Sequence, residues 1–204
     1  MTDAIAWLAA YADRHRLTYE PDADERWPRA FEPFATLRTP IRYAHALHAT
    51  GDAGSVSIAR FFVDGTSAPD ARGGPHQETE ASAWVALVQD VKLTGATVAA
   101  ASDARPPSPF AEPIDLVTLP RKTTRDAAFD RAFATFAPSD ADVARALTPS
   151  VRKLVLSWRI PLHFEIRPGA FLLAPVALPA DPASLAWLLG AVQFFGEKAA
   201  KRGK

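Results

Sequence analysis

The chain contains no cysteine, and that absence removes disulfides, thiolate zinc sites, thiolate-held iron–sulfur clusters and cysteine nucleophiles together. It does not by itself assign a compartment. Net charge is missing too: Lys plus Arg and Asp plus Glu each number 23, so the formal charge at pH 7 is zero. Without a global field, nothing draws the molecule to nucleic acid or acidic lipid, and any electrostatic partner must be met by a local patch. The longest apolar run, Leu185 to Gly196, is interrupted by Gln193 and falls short of the roughly 18–20 residues that span a bilayer. The first residues, MTDAIAWLAAYADRHRL, lack a basic leading region and reach Asp13 and Arg14 too early for a secretory signal; the expected location is the cytoplasm. Two catalytic signatures are lacking as well. No G-x-S-x-G elbow exists, Gly54-Ser55 being turn residues, and GDAGSV and ARGGPH have neither the lysine nor the strand-to-helix setting of a phosphate cradle. The reading therefore calls for no cofactor.

What is present is a globular balance, with 48% apolar and 23% charged residues over 204 positions, enough to bury a sizeable core without staples. The expected organisation is one domain over 1–204, with the proline-dense stretch 103–113, DARPPSPFAEP, as the one plausible seam.

Asp3 is placed to cap a helix over about 4–15, with Ile5, Leu8, Ala9 and Ala12 as its buried stripe and Trp7 and Tyr11 paired one turn apart. Leu17 to Tyr19 reads as a short strand. The loop after it carries Trp27, Phe31 and Phe34 as expected core anchors. RYAHALHA (42–49), a Gly51 to Gly54 turn of more than the minimal two residues and VSIARFFV (56–63) form a hairpin, followed by a polar loop over 64–78. In the next strand, about 80–89, Trp84, Ala86 and Val88 alternate with Val85 and Leu87, so both faces are expected to be covered. Strands are also expected over 114–119 and 131–136, with Phe129 and Phe133 in the core. Ser139 opens a helix, Thr148-Pro149 restarts it, and Val151, Leu154, Val155 and Trp158 line its apolar side. Leu162, Phe164 and Ile166 alternate with His163, Glu165 and Arg167, which predicts a strand with one dry and one wet face. Pro168-Gly169 turns it into a second strand, and Asp181-Pro182 caps a terminal helix reaching about Ala200. The fold class is thus α+β, an antiparallel sheet of about six or seven strands with the N- and C-terminal helices packed on it.

Phe129, Asp130 and Phe133, then Asp140, Ala144, Arg145, Leu147, Thr148 and Pro149, spell F-D-x-x-F, a spacer and D-x-x-x-A-R-x-L-T-P. With the hairpin and apolar helix that follow, this pattern resembles a loose group of bacterial proteins of unknown function. The resemblance implies packing and capping roles for these residues and brings no catalytic or binding ones.

Two constellations carry functional weight. His45 and His48, with His76 and Glu78 downstream, suggest a metal-assisted hydrolase, but positions three apart on a strand point to opposite faces and both imidazoles reach one metal only if the segment is helical or bulged, so no metal site is assigned. Acidic groups at Asp22-Asp24-Glu25 and Asp140-Asp142 read as a loop and a helix start. The only basic run, Lys198, Lys201, Arg202 and Lys204, lacks the aromatics that stack bases, so no nucleic-acid partner is expected. In the terminal helix, Leu185, Leu188, Leu189, Val192 and Phe195 fill the core stripe and leave Trp187, Ala191 and Phe194 on a flank that a surface helix would make polar. Three readings of that excess stay open: a helix buried on both sides, an oligomer or partner face, and an interfacial membrane helix, which ranks last. The expectation is a non-enzymatic binding or assembly module whose interface holds Trp187, Ala191 and Phe194.

Overall fold

The computed structural model describes residues 5–23, 42–51, 54–65, 79–94, 97–101, 119–175 and 178–200. Helix α1 (Leu8–His15) leads into β1 (Thr18–Asp22), β2 (Arg42–Gly51), β3 (Gly54–Gly65), β4 (Thr79–Gln89) and β5 (Thr97–Ala101). The second half runs β6 (Arg121–Lys122), α2 (Ala127–Ala132), β7 (Phe133–Phe136), α3 (Asp140–Ala146), α4 (Pro149–Trp158), β8 (Leu162–Arg167), β9 (Ala170–Pro175) and α5 (Pro182–Ala200). The strands form one antiparallel sheet in the order β1-β2-β3-β4-β9-β8-β5-β7-β6. The fold is α+β as expected, and short strands such as the two-residue β6 bring the described count to nine. Strands from both sides of 103–113, itself outside the described residues, share the sheet: β4 pairs with β9, and β5 pairs with β7 and β8.

Burial divides the sheet into two faces. All five described helices contribute to one core, in which Leu47, Ile58, Trp84, Phe164, Phe171 and Leu173 of the strands meet Leu8, Phe129, Val151, Leu188 and Phe195 of the helices. On the other face Tyr43, Ala46, Ala59, Ala83, Val85, Leu87, Leu172 and Ala174 form a second buried cluster of mostly small residues. Strand β4 feeds both, as its two-sided apolar pattern predicts: Trp84, Ala86 and Val88 go to the helical face, Val85 and Leu87 to the other.

Local chemistry explains the boundaries. The stripe of α1 is Leu8, Tyr11 and Ala12, while Ala9, expected inside, is exposed. Trp7 stands at its start with no side-chain cap, and Trp7 and Tyr11 meet edge to face at 5.7 Å. Asp3, like the aromatic anchors Trp27, Phe31 and Phe34, lies outside the described residues. The β2–β3 ladder pairs up to Gly51 and Gly54, so the turn is shorter than expected, with two residues between them. Gly54 is required there: its φ is +115°, and a Cβ would collide with the Gln89 carbonyl.

The first two residues of the expected strand over 131–136 are helical. Asp126 accepts a hydrogen bond from the Phe129 amide at 3.2 Å and starts α2, which holds Arg131 and Ala132 before β7 begins at Phe133. Asp130 then gathers the preceding turn, accepting from the Thr124 amide (2.9 Å) and hydroxyl (2.8 Å) and from the Thr123 hydroxyl (3.0 Å). Of the strand expected over 114–119, residues 114–118 lie outside the described ones, and Leu119 is not in a strand. Ser139 and Thr148 cap α3 and α4 as predicted, accepting from the Asp142 and Val151 amides. Arg152 ties the segment together: it reaches Asp126 at 3.1 Å and donates to the Leu147 carbonyl. The F-D-x-x-F pattern therefore has a physical content. Phe129 and Phe133 stack at 4.7 Å in the core while Asp130 between them holds the turn outside it.

Two outcomes follow from this packing. Phe164, fully buried between Phe133 (5.8 Å) and Phe195 (5.3 Å), should cost about 3–5 kcal/mol on Phe164→Ala, read from urea unfolding midpoints. Burial works against the Asp130 carboxylate, but the hydrogen bonds from Thr124 and Thr123 outweigh it and hold its pKa below the usual range. A depressed carboxylate contributes stability above its unfolded pKa of about 3.9 and loses it as pH falls through the folded value. Asp130→Asn should therefore lower stability at pH 7, with the gap to wild type closing below about pH 4 in acid titrations followed by circular dichroism.

Candidate functional site

Helix α5 begins where Asp181 accepts from the Ser184 amide at 2.8 Å, with Pro182 at the first helical position. Leu185, Leu188, Val192 and Phe195 are buried as expected, and Leu189 is half-buried. The anchor is Phe195. Its ring lies 4.9 Å from Phe171, 5.3 Å from Phe164 and 6.4 Å from Trp158. The flank predicted as an interface divides on inspection. Ala191 is buried in the core at 3% exposure and leaves the candidate surface; at 100° per residue it falls only 40° round the helix from buried Phe195, four residues on. Trp187 is half-buried because its ring meets Trp158 edge to face at 5.6 Å. Phe194 remains, 55% exposed. Around it the outward line is made of small or polar residues: exposed Ala183, Ala186, Gln193 and Glu197, and half-exposed Gly190, where an added Cβ would meet nothing within 4 Å. Among the described residues no helix is long and apolar enough to cross a membrane.

A second feature corrects an expectation. Leu162, Phe164 and Ile166 face the helical core, but the opposite side of β8 is not wet: His163 and Glu165 are 1% and 0% exposed, and only Arg167 reaches partway to solvent. Period two puts all three on one face, next to Ala174, Leu172 and Ala170 of β9. Glu165 bridges the row, 3.3 Å from His163 Nε2 through one oxygen and 3.3 Å from Arg167 through the other. Alternation shows that two faces differ; it does not show that the polar one is uncovered. The missed signal was the H-x-E-x-R order, which sets a carboxylate between two nitrogen bases that can compensate its burial.

The histidine pair of β2 is separated as the spacing implies, though the strand is not regular. A bulge falls between Ala44 and Leu47, with His45 in the left-handed region at φ 54°. His45 Nδ1 lies 2.8 Å from the hydroxyl of Tyr19, which stands opposite Leu47 and packs toward the helical core. Burial, then the charge of Asp22, raises the pKa of that phenol, so it stays protonated as a hydrogen-bond partner. His48 instead meets Ser57 (3.2 Å) and Glu20 (3.8 Å), residues of the opposite face. His76 and Glu78 lie outside the described residues, as do Asp24 and Glu25. Among the described residues no three His, Asp or Glu side chains gather as a metal shell. Asp140 and Asp142 sit at the start of α3, where Asp142 pairs with Arg145 at 2.9 Å and Asp140 with Lys122 at 3.1 Å.

No family model matches the chain, and no curated protein matches it in sequence. Among solved structures, the mycobacterial trehalose monomycolate transport factor A, TtfA, is similar in fold, with a TM-score of 0.57 at 12% identity. The similarity covers 98% of this chain and 97% of that one, so the two share a whole architecture.

The buried row makes its own prediction. Arg167→Met leaves the Glu165 charge inadequately compensated and should cost about 3–5 kcal/mol. Adding Glu165→Leu should restore a large part of that loss, because the pair is then replaced by apolar surface. Chemical unfolding of the single and double variants measures both steps.

Proposed function

We propose that this chain is a non-enzymatic binding or assembly module that docks a protein partner on the outward face of α5. The observation that carries the reading is Phe194, a large apolar side chain 55% exposed on a helix whose other aromatics are partly or fully packed. Water penalises such a surface by about 25 cal/mol per Å² of apolar area left exposed, and a partner's cover removes the penalty. Trp187 and Trp158, half-buried at its edge, would extend the contact with the aromatic anchors that interfaces favour. The fold neighbour, named as a transport factor, is compatible with a non-enzymatic role. Fold alone transfers no function. The F-D-x-x-F and A-R-x-L-T-P resemblance supports a bacterial origin. A hydrolase using His45 and His48 finds no support in β2, where the two imidazoles engage residues of opposite faces.

Phe194→Glu tests this directly. It changes a residue outside the core, so thermal stability should stay within about 0.5 kcal/mol of wild type, while capture of partners from the native host should drop at least tenfold. Equal capture by wild type and variant would sink the proposal.

A further inference from the structure

The geometry points to Ser57 as a nucleophilic modification site, an acceptor of acyl groups from activated esters, with His48 taking the hydroxyl proton and Glu20 orienting the imidazole. It lies on the sheet face opposite α5 and stands independently of the docking reading.

Three adjacent strands supply one side chain each. The β2–β3 ladder sets His48 directly opposite Ser57, and the β1–β2 ladder sets Thr18 opposite His48 and Glu20 opposite Ala46. Residues directly opposite share a face, as do positions two apart on one strand, so Glu20, His48 and Ser57 stand together. Their strand neighbours Leu47 and Ile58 point the other way, into the helical core. The Ser57 hydroxyl lies 3.2 Å from His48 Nδ1, and Nε2 of the same ring lies 3.8 Å from a Glu20 oxygen. The side chains of His48 and Glu20 are 31% and 33% exposed and Ser57 is half-buried, so a small molecule can reach the group from solvent.

Hydroxyl, base and orienting carboxylate in that order are what an activated nucleophile requires. A cross-strand hydrogen bond needs only Ser57 and His48; the third strand adds a carboxylate at the far ring nitrogen. That carboxylate favours the ring hydrogen on Nε2, which leaves the Nδ1 lone pair for the hydroxyl. In the step, Nδ1 takes the Ser57 proton while Oγ bonds to the acyl carbon of a thioester or aryl ester. The bond from that carbon to sulfur or phenolic oxygen breaks, and the leaving thiolate or phenolate takes the proton back from His48. Atoms and charge balance with no further reactant.

The same strands limit the site to accepting. A serine hydrolase stabilises its tetrahedral intermediate with preorganised donors, commonly backbone N–H groups, aimed at the oxyanion. Ser57 sits inside β3, paired with β2 on one side and β4 on the other, and the β3–β4 register runs unbroken from Ser55 to Gly65. The amides around it therefore serve the sheet. Donors with good leaving groups react, and the acyl-serine, an ordinary alkyl ester in the same unassisted setting, persists. Buried Ala46, Ala59 and Leu87 flank the serine and histidine, which leaves room for a short acyl group.

The probe is p-nitrophenyl acetate, with acetylation of each residue followed by peptide mass spectrometry. Ser55, two residues away on the same face and also half-buried, is the internal control. Ser57 should acetylate about a hundredfold faster than Ser55, the order of a positioned base, and the acetyl group should remain after the probe is removed. His48→Ala should bring Ser57 down to the rate of Ser55, and added imidazole should restore it. His48→Gln, which keeps a polar group beside Ser57, should give the same loss and covers the case in which alanine disturbs the sheet. Glu20→Gln should slow the reaction about tenfold, with Glu20→Asp, which keeps the charge, recovering part of it. Phe194→Glu should label as wild type does. Ser57 no faster than Ser55, or a rate indifferent to the loss of His48, would overturn the inference. Release of the acetyl group within minutes would overturn the acceptor reading by showing turnover.

Discussion

Phe195 orients the surface on which the functional reading depends. Its ring is held by Phe164 and Phe171 on the sheet and by Trp158 on α4, so the roll of α5 about its axis is set by three aromatic contacts. Each is worth about 0.5–1.5 kcal/mol beyond the area it buries. With residue 195 pointing inward, helical geometry turns residue 194 by 100° toward solvent and leaves no freedom to hide it. The exposure of Phe194 is a consequence of where Phe195 is seated. Rolling the helix to cover Phe194 would withdraw Phe195 and Leu188, both fully buried, and each withdrawal would forfeit about 1.5–3 kcal/mol of side-chain burial. The core fixes the face.

The elements that could be read from sequence are those decided by neighbours a few residues away. Ser139, Thr148 and Asp181 mark helix starts because a cap bonds an amide two or three residues ahead, and the pattern of β4 shows two covered faces because both of its sides are apolar. What escaped the reading was decided at long range. Glu165 is buried because the second sheet face is covered, and nothing in LHFEIRPG states that. Ala191 sits on the same flank as Trp187 and Phe194, yet the core reaches around far enough to take it and leave Phe194 out. The bulge at His45 changes which residue of β2 opposes which in β3, and period-two reasoning assumes a constant pairing. The start of α2 was legible in principle, since Asp126 stands three residues before Phe129 as a cap should, yet the expected strand was drawn from Arg131 across the end of that helix.

The two sheet faces are stabilised by different means. The helical face uses large rings and branched side chains, whose removal leaves cavities. The other face uses alanines and an ionic row, in which Glu165 tolerates complete burial because His163 and Arg167 compensate its carboxylate. Such a row contributes little net stability but penalises any register that separates its members. A one-residue slip of β8 would drive Glu165 into the aromatic core and Phe164 out of it. Packing on one face and charge on the other therefore select the same register, and that register positions Phe164 and Phe171 to receive Phe195.

The zero net charge takes its meaning from this arrangement. A strongly charged chain would repel any partner of like charge before their surfaces met, and a small apolar contact could not offset it. Here the 23 positive and 23 negative side chains cancel, so approach carries no global Coulomb cost and short-range shape decides the outcome. Association through Phe194 should then depend weakly on salt, because the surface it offers is apolar.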